Sequence, residues 1–164
     1  MSKGTAFFKG LLLSGLFFLV LLVLVPSCRS QVDPYALELA PKEYFQRGIE
    51  ASDKNNYRLA LKYYDAYLQR YPWQPEDTEN LELLNSNLWA KYEIAFAYYK
   101  MNKDRTSVEL FEDLLDFYES LQERKDIDSN LITQGPQILS GLVLEKIRNR
   151  NPKAFEAPEP TATP

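Results

Sequence analysis

The sequence contains no histidine and a single cysteine, Cys28, among its 164 residues. These absences exclude an intrachain disulfide, a Cys–His catalytic pair and a zinc site built from cysteine and histidine ligands. No phosphate loop, calcium loop or nucleophile elbow is present in the sequence either. We therefore predict that the protein is not an enzyme and that it binds no metal and no cofactor.

Positive charge is limited as well. The formal net charge is −4, and the basic residues do not form a cluster. Nucleic-acid binding depends on neutralising phosphates, so we expect no nucleic-acid partner. Only six glycines occur, whereas the eleven tyrosines and nine phenylalanines recur at helical spacing. This pattern predicts an all-α fold.

The N-terminal residues are typical of an export signal. Lys3 and Lys9 precede an uncharged, largely apolar run over residues 11–25. That run is shorter than the roughly 20 residues that a membrane-spanning helix needs. It ends in Val25-Pro26-Ser27-Cys28, which resembles a bacterial lipobox. The resemblance implies that residues 1–27 are a lipoprotein signal peptide and that Cys28 carries the lipid anchor, a palmitate-type modification.

One residue of this motif departs from the family pattern, since Pro26 replaces a small or aliphatic residue. The alternative is an uncleaved N-terminal membrane anchor. Both interpretations place the remaining chain in the cell envelope, attached to a membrane and facing the periplasm. Arg29 follows the cysteine, and in enteric-type sorting a residue other than aspartate favours the outer membrane over the inner one.

The mature chain divides into three predicted regions. Residues 28–40 are expected to be a tether, residues 41–150 a helical domain, and residues 151–164 a disordered proline-rich tail with little to bury. The domain should contain five helices, which the apolar periodicity and the turn residues place at 41–54, 57–71, 79–101, 105–124 and 137–150.

The first four predicted helices form two similar hairpins with recurring large and small residues. The positions expected to pack helix on helix are Tyr44, Gly48, Ala60 and Tyr64 in the first hairpin and Ala95, Tyr98, Ser107 and Phe111 in the second. The pattern resembles the tetratricopeptide repeat, a helix–turn–helix unit of about 34 residues. Ala60 and Ser107 are 47 residues apart, so about 13 residues are inserted over 73–85. A generic helical bundle is the alternative.

The fifth helix is expected to cap the array. Repeats bury their faces only against neighbours, so an array needs a terminal helix with a polar outer side. The predicted apolar stripe of this helix, facing the array, consists of Ile138, Leu139, Leu142, Val143 and Ile147.

A partner would bind along the first helix of each hairpin if these hairpins form a concave groove as in tetratricopeptide folds. The predicted groove residues are Lys42, Phe45 and Ile49 in the first hairpin and Trp89, Tyr92, Phe96, Tyr99 and Lys100 in the second. Aromatic residues are frequent binding anchors for peptides. The alternative is that this aromatic stripe belongs to the core.

Residues 41–119 also resemble one particular lipoprotein family, the D subunit of the outer-membrane β-barrel assembly machinery. The resemblance is carried by Tyr57-Arg58-Leu59-Ala60-Leu61-Lys62-Tyr63-Tyr64, by Arg70-Tyr71-Pro72 and by Ala95-Phe96-Ala97-Tyr98-Tyr99-Lys100. That family has about five repeats, whereas two and a cap are found here. The resemblance implies a membrane-anchored periplasmic scaffold that binds a protein or peptide during outer-membrane protein assembly. The alternative function is that of an accessory lipoprotein in another envelope complex, such as a solute transporter or the cell-wall machinery.

Overall fold

The computed structural model describes residues 32–156, and within this range the chain is all-helical without any strand. This confirms the predicted all-α fold. The helices are α1 (Pro41–Asp53), α2 (Tyr57–Arg70), α3 (Leu81–Lys100), α4 (Asp104–Gln122) and α5 (Gly135–Arg150). Their ends lie within two residues of the predicted ones. The predicted signal peptide, Cys28 and residues 157–164 lie outside the described residues.

Short side chains fix where these helices begin. The Asn56 side chain accepts a hydrogen bond from the backbone N–H of Leu59 at the start of α2, and Asn80 does the same for Leu83 at the start of α3. Such caps satisfy N–H groups that have no partner inside the helix. Asn55 and Asn102, in the turns after α1 and α3, both have φ near 56°. Asparagine tolerates this left-handed conformation better than most residues, and it gives both turns the same geometry.

Helices α1 and α2 pack as an antiparallel pair, and so do α3 and α4. A residue early in α1 meets a residue at the end of α2, and residues near the middle of α3 and α4 meet each other. The ring centroids of Tyr44 and Tyr71 are 6.3 Å apart, and those of Tyr92 and Phe111 are 5.7 Å apart. Close to the turn of the second pair, the Ser107 Oγ donates a hydrogen bond to the carbonyl of Ala95 at 2.9 Å.

A buried asparagine joins the two pairs. Asn87 of α3 donates from Nδ2 to the Tyr67 hydroxyl at 3.3 Å and to the Tyr71 carbonyl at 3.0 Å. Its Oδ1 accepts from the backbone N–H of Trp73 at 3.0 Å. Burying this polar side chain is tolerated because its donors and acceptor have partners. Asn87 therefore fixes the position of α3 on α2, together with the start of the inserted segment.

Helix α5 packs on α3 and α4, but with a different face from the predicted one. Its buried side consists of Pro136, Ser140, Val143 and Ile147. Ile138, Leu139 and Leu142, which were predicted to face the array, are exposed. The prediction was wrong for these three because an apolar stripe wider than one helical face contains two possible packing sides.

In the described part of the chain, no helix is long and apolar enough to cross a membrane.

Both segments that flank the helical domain pack onto it over part of their length. Residues 152–155, predicted as part of the disordered tail, form a 3-10 helix that buries Ala154. In the predicted tether, Pro34–Ala36 is also a 3-10 helix, and Pro34 is buried. The carbonyl of Leu37 accepts a hydrogen bond from the Tyr44 hydroxyl at 2.6 Å. Such contacts cannot be seen in composition, on which both predictions rested.

Candidate protein-binding surface

The predicted packing residues lie where the helices of each pair meet. Seven of the eight are buried, and Tyr98 is half-buried. The buried residues are Tyr44, Gly48, Ala60, Tyr64, Ala95, Ser107 and Phe111. They leave the opposite sides of α1 and α3 as the surface that a partner could reach.

Gly48 allows a close approach between α1 and α2. A Cβ atom at this position would lie 2.6 Å from Cζ and 2.7 Å from Cε1 of Tyr64. Non-bonded carbon atoms prefer about 3.5–4.0 Å, so only glycine lets the Tyr64 ring lie against the α1 backbone. The Tyr64 ring is completely buried there, and burial raises the pKa of its hydroxyl.

Two predicted groove residues belong to the intramolecular packing instead. Tyr92 is only 6% exposed, so its prediction as an open groove residue was wrong. Burial raises the pKa of its hydroxyl to about 12. Trp89 lies under the start of α5, where a Cβ on Gly135 would be 2.7 Å from Trp89 Cζ2. The final helix therefore covers this end of the aromatic stripe, as the core alternative anticipated.

Phe45 occupies an intermediate place. Its ring is half-buried and makes edge contacts with Tyr67, at 4.8 Å between centroids, and with Tyr64, at 5.7 Å. Aromatic pairs of this geometry contribute to packing between helices. Phe45 thus holds α1 on α2 and presents only part of its ring to solvent.

The remaining predicted groove residues reach the surface. Lys42 and Lys100 are exposed, Ile49 is 45% exposed, and Phe96 and Tyr99 are half-buried. We call these five residues the groove surface. Phe96 stacks between Tyr92 and Tyr99, with centroid distances of 5.7 Å on both sides. This row of rings is held rigidly, so a partner would meet a preformed apolar surface.

Lys100 marks the edge of the groove surface next to α2. Its Nζ lies 5.9 Å from the ring centroids of Phe96 and Tyr57. Tyr57 is half-buried at the first position of α2, and sequence reasoning did not assign it to the site. Its place beside the groove depends on how α2 packs against the end of α3, which helical periodicity alone does not give.

A carboxylate on α3 lies behind this surface. Glu93 is half-buried, and burial raises its pKa. Its charge in turn contributes to the raised pKa values of the Tyr64 and Tyr92 hydroxyls. Glu93 is therefore a carboxylate that folding desolvates, beside two buried tyrosines.

An ion pair ties α5 to the start of α4, and sequence reasoning missed it. The Arg150 guanidinium pairs with the Asp104 carboxylate, and the Asn151 Nδ2 donates to the same carboxylate at 3.0 Å. Burial opposes the charged form of Asp104, but the hydrogen bonds from Arg150 and Asn151 outweigh it and lower the pKa. The guanidinium also lies 4.3 Å from the ring centroid of Tyr99, so the pair borders the groove surface.

The depression between α1 and α2 has mixed, largely polar character. It has a volume of 670 Å³ and is lined mainly by polar side chains, including Glu43, Arg47, Glu50 and Lys54. Across residues 32–156, no group of three or more acidic, cysteine or histidine side chains could hold a metal ion. The candidate binding site therefore consists of the predicted groove residues that reach solvent, Lys42 and Ile49 on α1 and Phe96, Tyr99 and Lys100 on α3.

Comparison with known proteins identifies no relative of this chain. No protein-family model matches the chain, and searches of curated proteins and of solved structures find no match.

Proposed function

We propose that this protein is a membrane-anchored scaffold of the cell envelope that binds another polypeptide on the groove surface. In this proposal residues 41–150 form a tetratricopeptide-like array of two helix pairs followed by a further helix. The observation that carries it is the packing of both pairs through small residues, which turns the opposite sides of α1 and α3 outward.

The repeated packing supports the array. In each pair a small residue of the first helix meets the second helix: Gly48 lies against Tyr64, and Ala95 accepts the Ser107 hydrogen bond. The two small residues are 47 residues apart, as are the left-handed asparagines in the turns. Equal spacing of a contact and a turn is expected when one supersecondary unit occurs twice.

The chemistry of the groove surface suits a peptide or helix with both apolar and acidic residues. Ile49 and Phe96 each directly follow the small packing residue of their helix, so the two side chains hold equivalent positions in the two pairs. Lys42 and Lys100 add positive charge to an otherwise acidic protein. Apolar side chains would supply the affinity, and the lysines would orient an acidic partner.

The membrane attachment is the second part of the proposal. Cys28 would carry the lipid after removal of residues 1–27, and the loss of Lys3 and Lys9 would leave the mature chain with a net charge of −6. Several acyl chains on one residue anchor a protein stably, whereas a single chain is marginal. The outer membrane, facing the periplasm, is the proposed location.

Capture from solubilised envelopes tests the partner. The full chain should retain the barrel-assembly protein, and Ile49→Glu should lose it because a charge replaces an exposed apolar contact. Glu112→Lys, at an exposed position on α4, is the control for a surface charge change. Retention of a transporter or cell-wall subunit instead would favour the accessory-lipoprotein alternative. Equal capture by the parent and Ile49→Glu would refute the groove surface as the binding site.

The anchor is tested separately with radiolabelled palmitate in growing cells. The parent chain should incorporate label and sediment with membranes, and Cys28→Ala should do neither. Label that persists in Cys28→Ala would refute lipid attachment at this residue. Membrane sedimentation without label would instead support the uncleaved anchor.

A further inference from the structure

Helix α5 exposes an apolar face that nothing in the described part of the chain covers. Ile138 is 62% exposed, Leu142 50% and Leu139 36%. Gly141 lies between them, and a Cβ atom there would have no other atom within 4 Å. Glycine inside a helix is destabilising relative to alanine. No close packing within the described residues offsets this cost at Gly141.

The two complete helix pairs show what packs on the equivalent face. The side of α3 that meets α2 carries Ala90 and Ile94, and the buried side of α5 carries Pro136 and Ser140. Ala90 and Pro136 are 46 residues apart, and so are Ile94 and Ser140, so a spacing of 46 residues relates equivalent positions of α3 and α5. By the same spacing, Gly141 of α5 is equivalent to Ala95 of α3.

The spacing of 46 residues also makes Ile138 of α5 equivalent to Tyr92 of α3. Tyr92 contacts Phe111 of the second helix in its own pair. In the first pair, Phe45 contacts Tyr64 in the same way. The exposed face of α5 therefore corresponds to the face that a second helix covers in both complete pairs.

The described residues contain only the start of such a second helix. Ala154 follows Ser107 by the same 47 residues that separate Ser107 from Ala60, and all three are buried. It belongs to the short 3-10 helix Pro152–Phe155. Pro158, outside the described residues, stands where Phe111 and Tyr64 stand in the complete units. Proline disfavours the interior of a helix, so the sequence does not favour continuing this element.

We propose that the exposed face of α5 docks an amphipathic helix from a partner protein, which completes the third pair. This inference deepens the proposed function and rests on it for the premise that the chain binds polypeptides. The second helices of the complete pairs define the chemistry of the occupant. Both carry a small residue, then large residues four, seven and eleven positions later: Ala60, Tyr64, Tyr67 and Tyr71 in the first, Ser107, Phe111, Leu114 and Tyr118 in the second.

This spacing keeps the four side chains on one face over three helical turns. The small residue would lie beside Gly141 as Ser107 lies beside Ala95, and the first aromatic residue would lie over Ile138 and the Gly141 backbone as Tyr64 lies over Phe45 and Gly48. Leu139 and Leu142 would border the contact. The docked helix would run antiparallel to α5, as α2 runs relative to α1.

A peptide with the sequence of residues 57–71 serves as the probe, because it carries the required spacing. Its binding to the purified full chain in a nonionic detergent is measured by fluorescence anisotropy. A peptide with Ala60→Glu and Tyr64→Glu is the control ligand. The double variant Ile138→Gln, Leu142→Gln should weaken binding about tenfold or more, with an unchanged circular-dichroism spectrum because both side chains are exposed. The matched control is Glu109→Gln, Glu112→Gln on the exposed side of α4.

Gly141→Ala provides a test that misfolding cannot imitate. The added methyl group should raise the thermal midpoint, since it meets nothing in the chain, and should weaken peptide binding, since it separates the two helices. Equal binding by the parent and the α5 double variant would overturn the inference, because the peptide would then have entered another site.

Failure of the peptide to bind the parent chain would also overturn the inference. So would a dimer, detected by analytical ultracentrifugation, that the α5 double variant abolishes, since a second copy would then occupy the face. The envelope capture with Ile49→Glu reports on the groove surface alone. A failed peptide experiment with that capture intact would therefore refute the docking inference and leave the proposed function standing.

Discussion

Replacing glycine by alanine should have opposite effects at two positions of this chain. Gly48 and Gly141 both lie in the first helix of a unit, and both would gain the same methyl group. At Gly48 that methyl group would lie 2.6 Å from the Tyr64 ring, whereas at Gly141 nothing lies within 4 Å. The pair therefore separates helix propensity from helix packing within one protein.

The magnitudes follow from these two contributions. Alanine is favoured over glycine inside a helix by about 1 kcal/mol, and both variants should gain this amount. At Gly48, forcing a methyl group against a buried ring costs about 1–3 kcal/mol, because the Tyr64 ring has no free space to enter. We expect Gly48→Ala to lower the free energy of unfolding by about 1 kcal/mol, and Gly141→Ala to raise it by about 1 kcal/mol.

Thermal and urea denaturation followed by circular dichroism at 222 nm measures both changes. A difference of about 2 kcal/mol between the variants corresponds to midpoints separated by roughly 8 °C. If Gly48→Ala is as stable as Gly141→Ala, the close approach of α1 and α2 does not exist in solution. The packing on which the proposed array depends would then be refuted.

Three further substitutions probe the core and its charges. Tyr92→Ala should lower the free energy of unfolding by about 3–5 kcal/mol in chemical denaturation, because it removes a buried aromatic side chain. A decrease below about 1 kcal/mol would contradict the burial of Tyr92 and support its assignment to the groove. Glu93→Gln should be more stable than the parent at pH 7 in thermal melts. The raised pKa of Glu93 makes the parent lose stability as the pH rises above the ordinary carboxylate pKa, and glutamine carries no charge to desolvate. The difference in stability between the two proteins should vanish near pH 4. Asp104→Asn should cost about 1 kcal/mol at pH 7, a value reduced by the partial exposure of Arg150. Its lowered pKa places that stabilisation above the ordinary aspartate pKa, so titration of stability should show the cost disappearing as the pH falls; a cost that persists at acidic pH would contradict the ion pair.

Helix positions could be predicted from the sequence because they depend on local signals. Pro41 begins α1, Asn56 caps α2, and the apolar spacing of each segment is that of a helix. These signals involve residues within one or two turns of one another. The predicted bounds therefore lie within two residues of the observed ones.

The candidate site was only partly predictable. Trp89, Tyr92, Phe96 and Tyr99 were placed on one side of α3 by spacing, yet the start of α5 covers Trp89, and Tyr92 packs on Phe111. Spacing assigns a residue to a face of its helix but does not say which neighbour lies on that face. The other end of the stripe, Phe96 and Tyr99, is half-buried and therefore stays partly accessible.

Helix α5 illustrates the same limit more strongly. Its apolar residues span more than one face, so the sequence allowed either side to be buried. The structure buries Ser140, Val143 and Ile147 and exposes Ile138 and Leu142. The direction in which α5 leaves the turn at residues 129–134 fixes this choice, and Asn85 contributes to it by accepting a hydrogen bond from the N–H of Thr133 at 2.8 Å.

The sequence by itself determined the all-helical character, the helix bounds and the small residues that repeat every 47 positions, because each depends on local propensity or on spacing along the chain. Only the tertiary structure decided which aromatic residues are core, that Asp104 and Arg150 pair across 46 residues, and that an apolar side of α5 faces outward. Those features depend on how whole helices are oriented relative to one another, and that orientation results from contacts summed over the entire core.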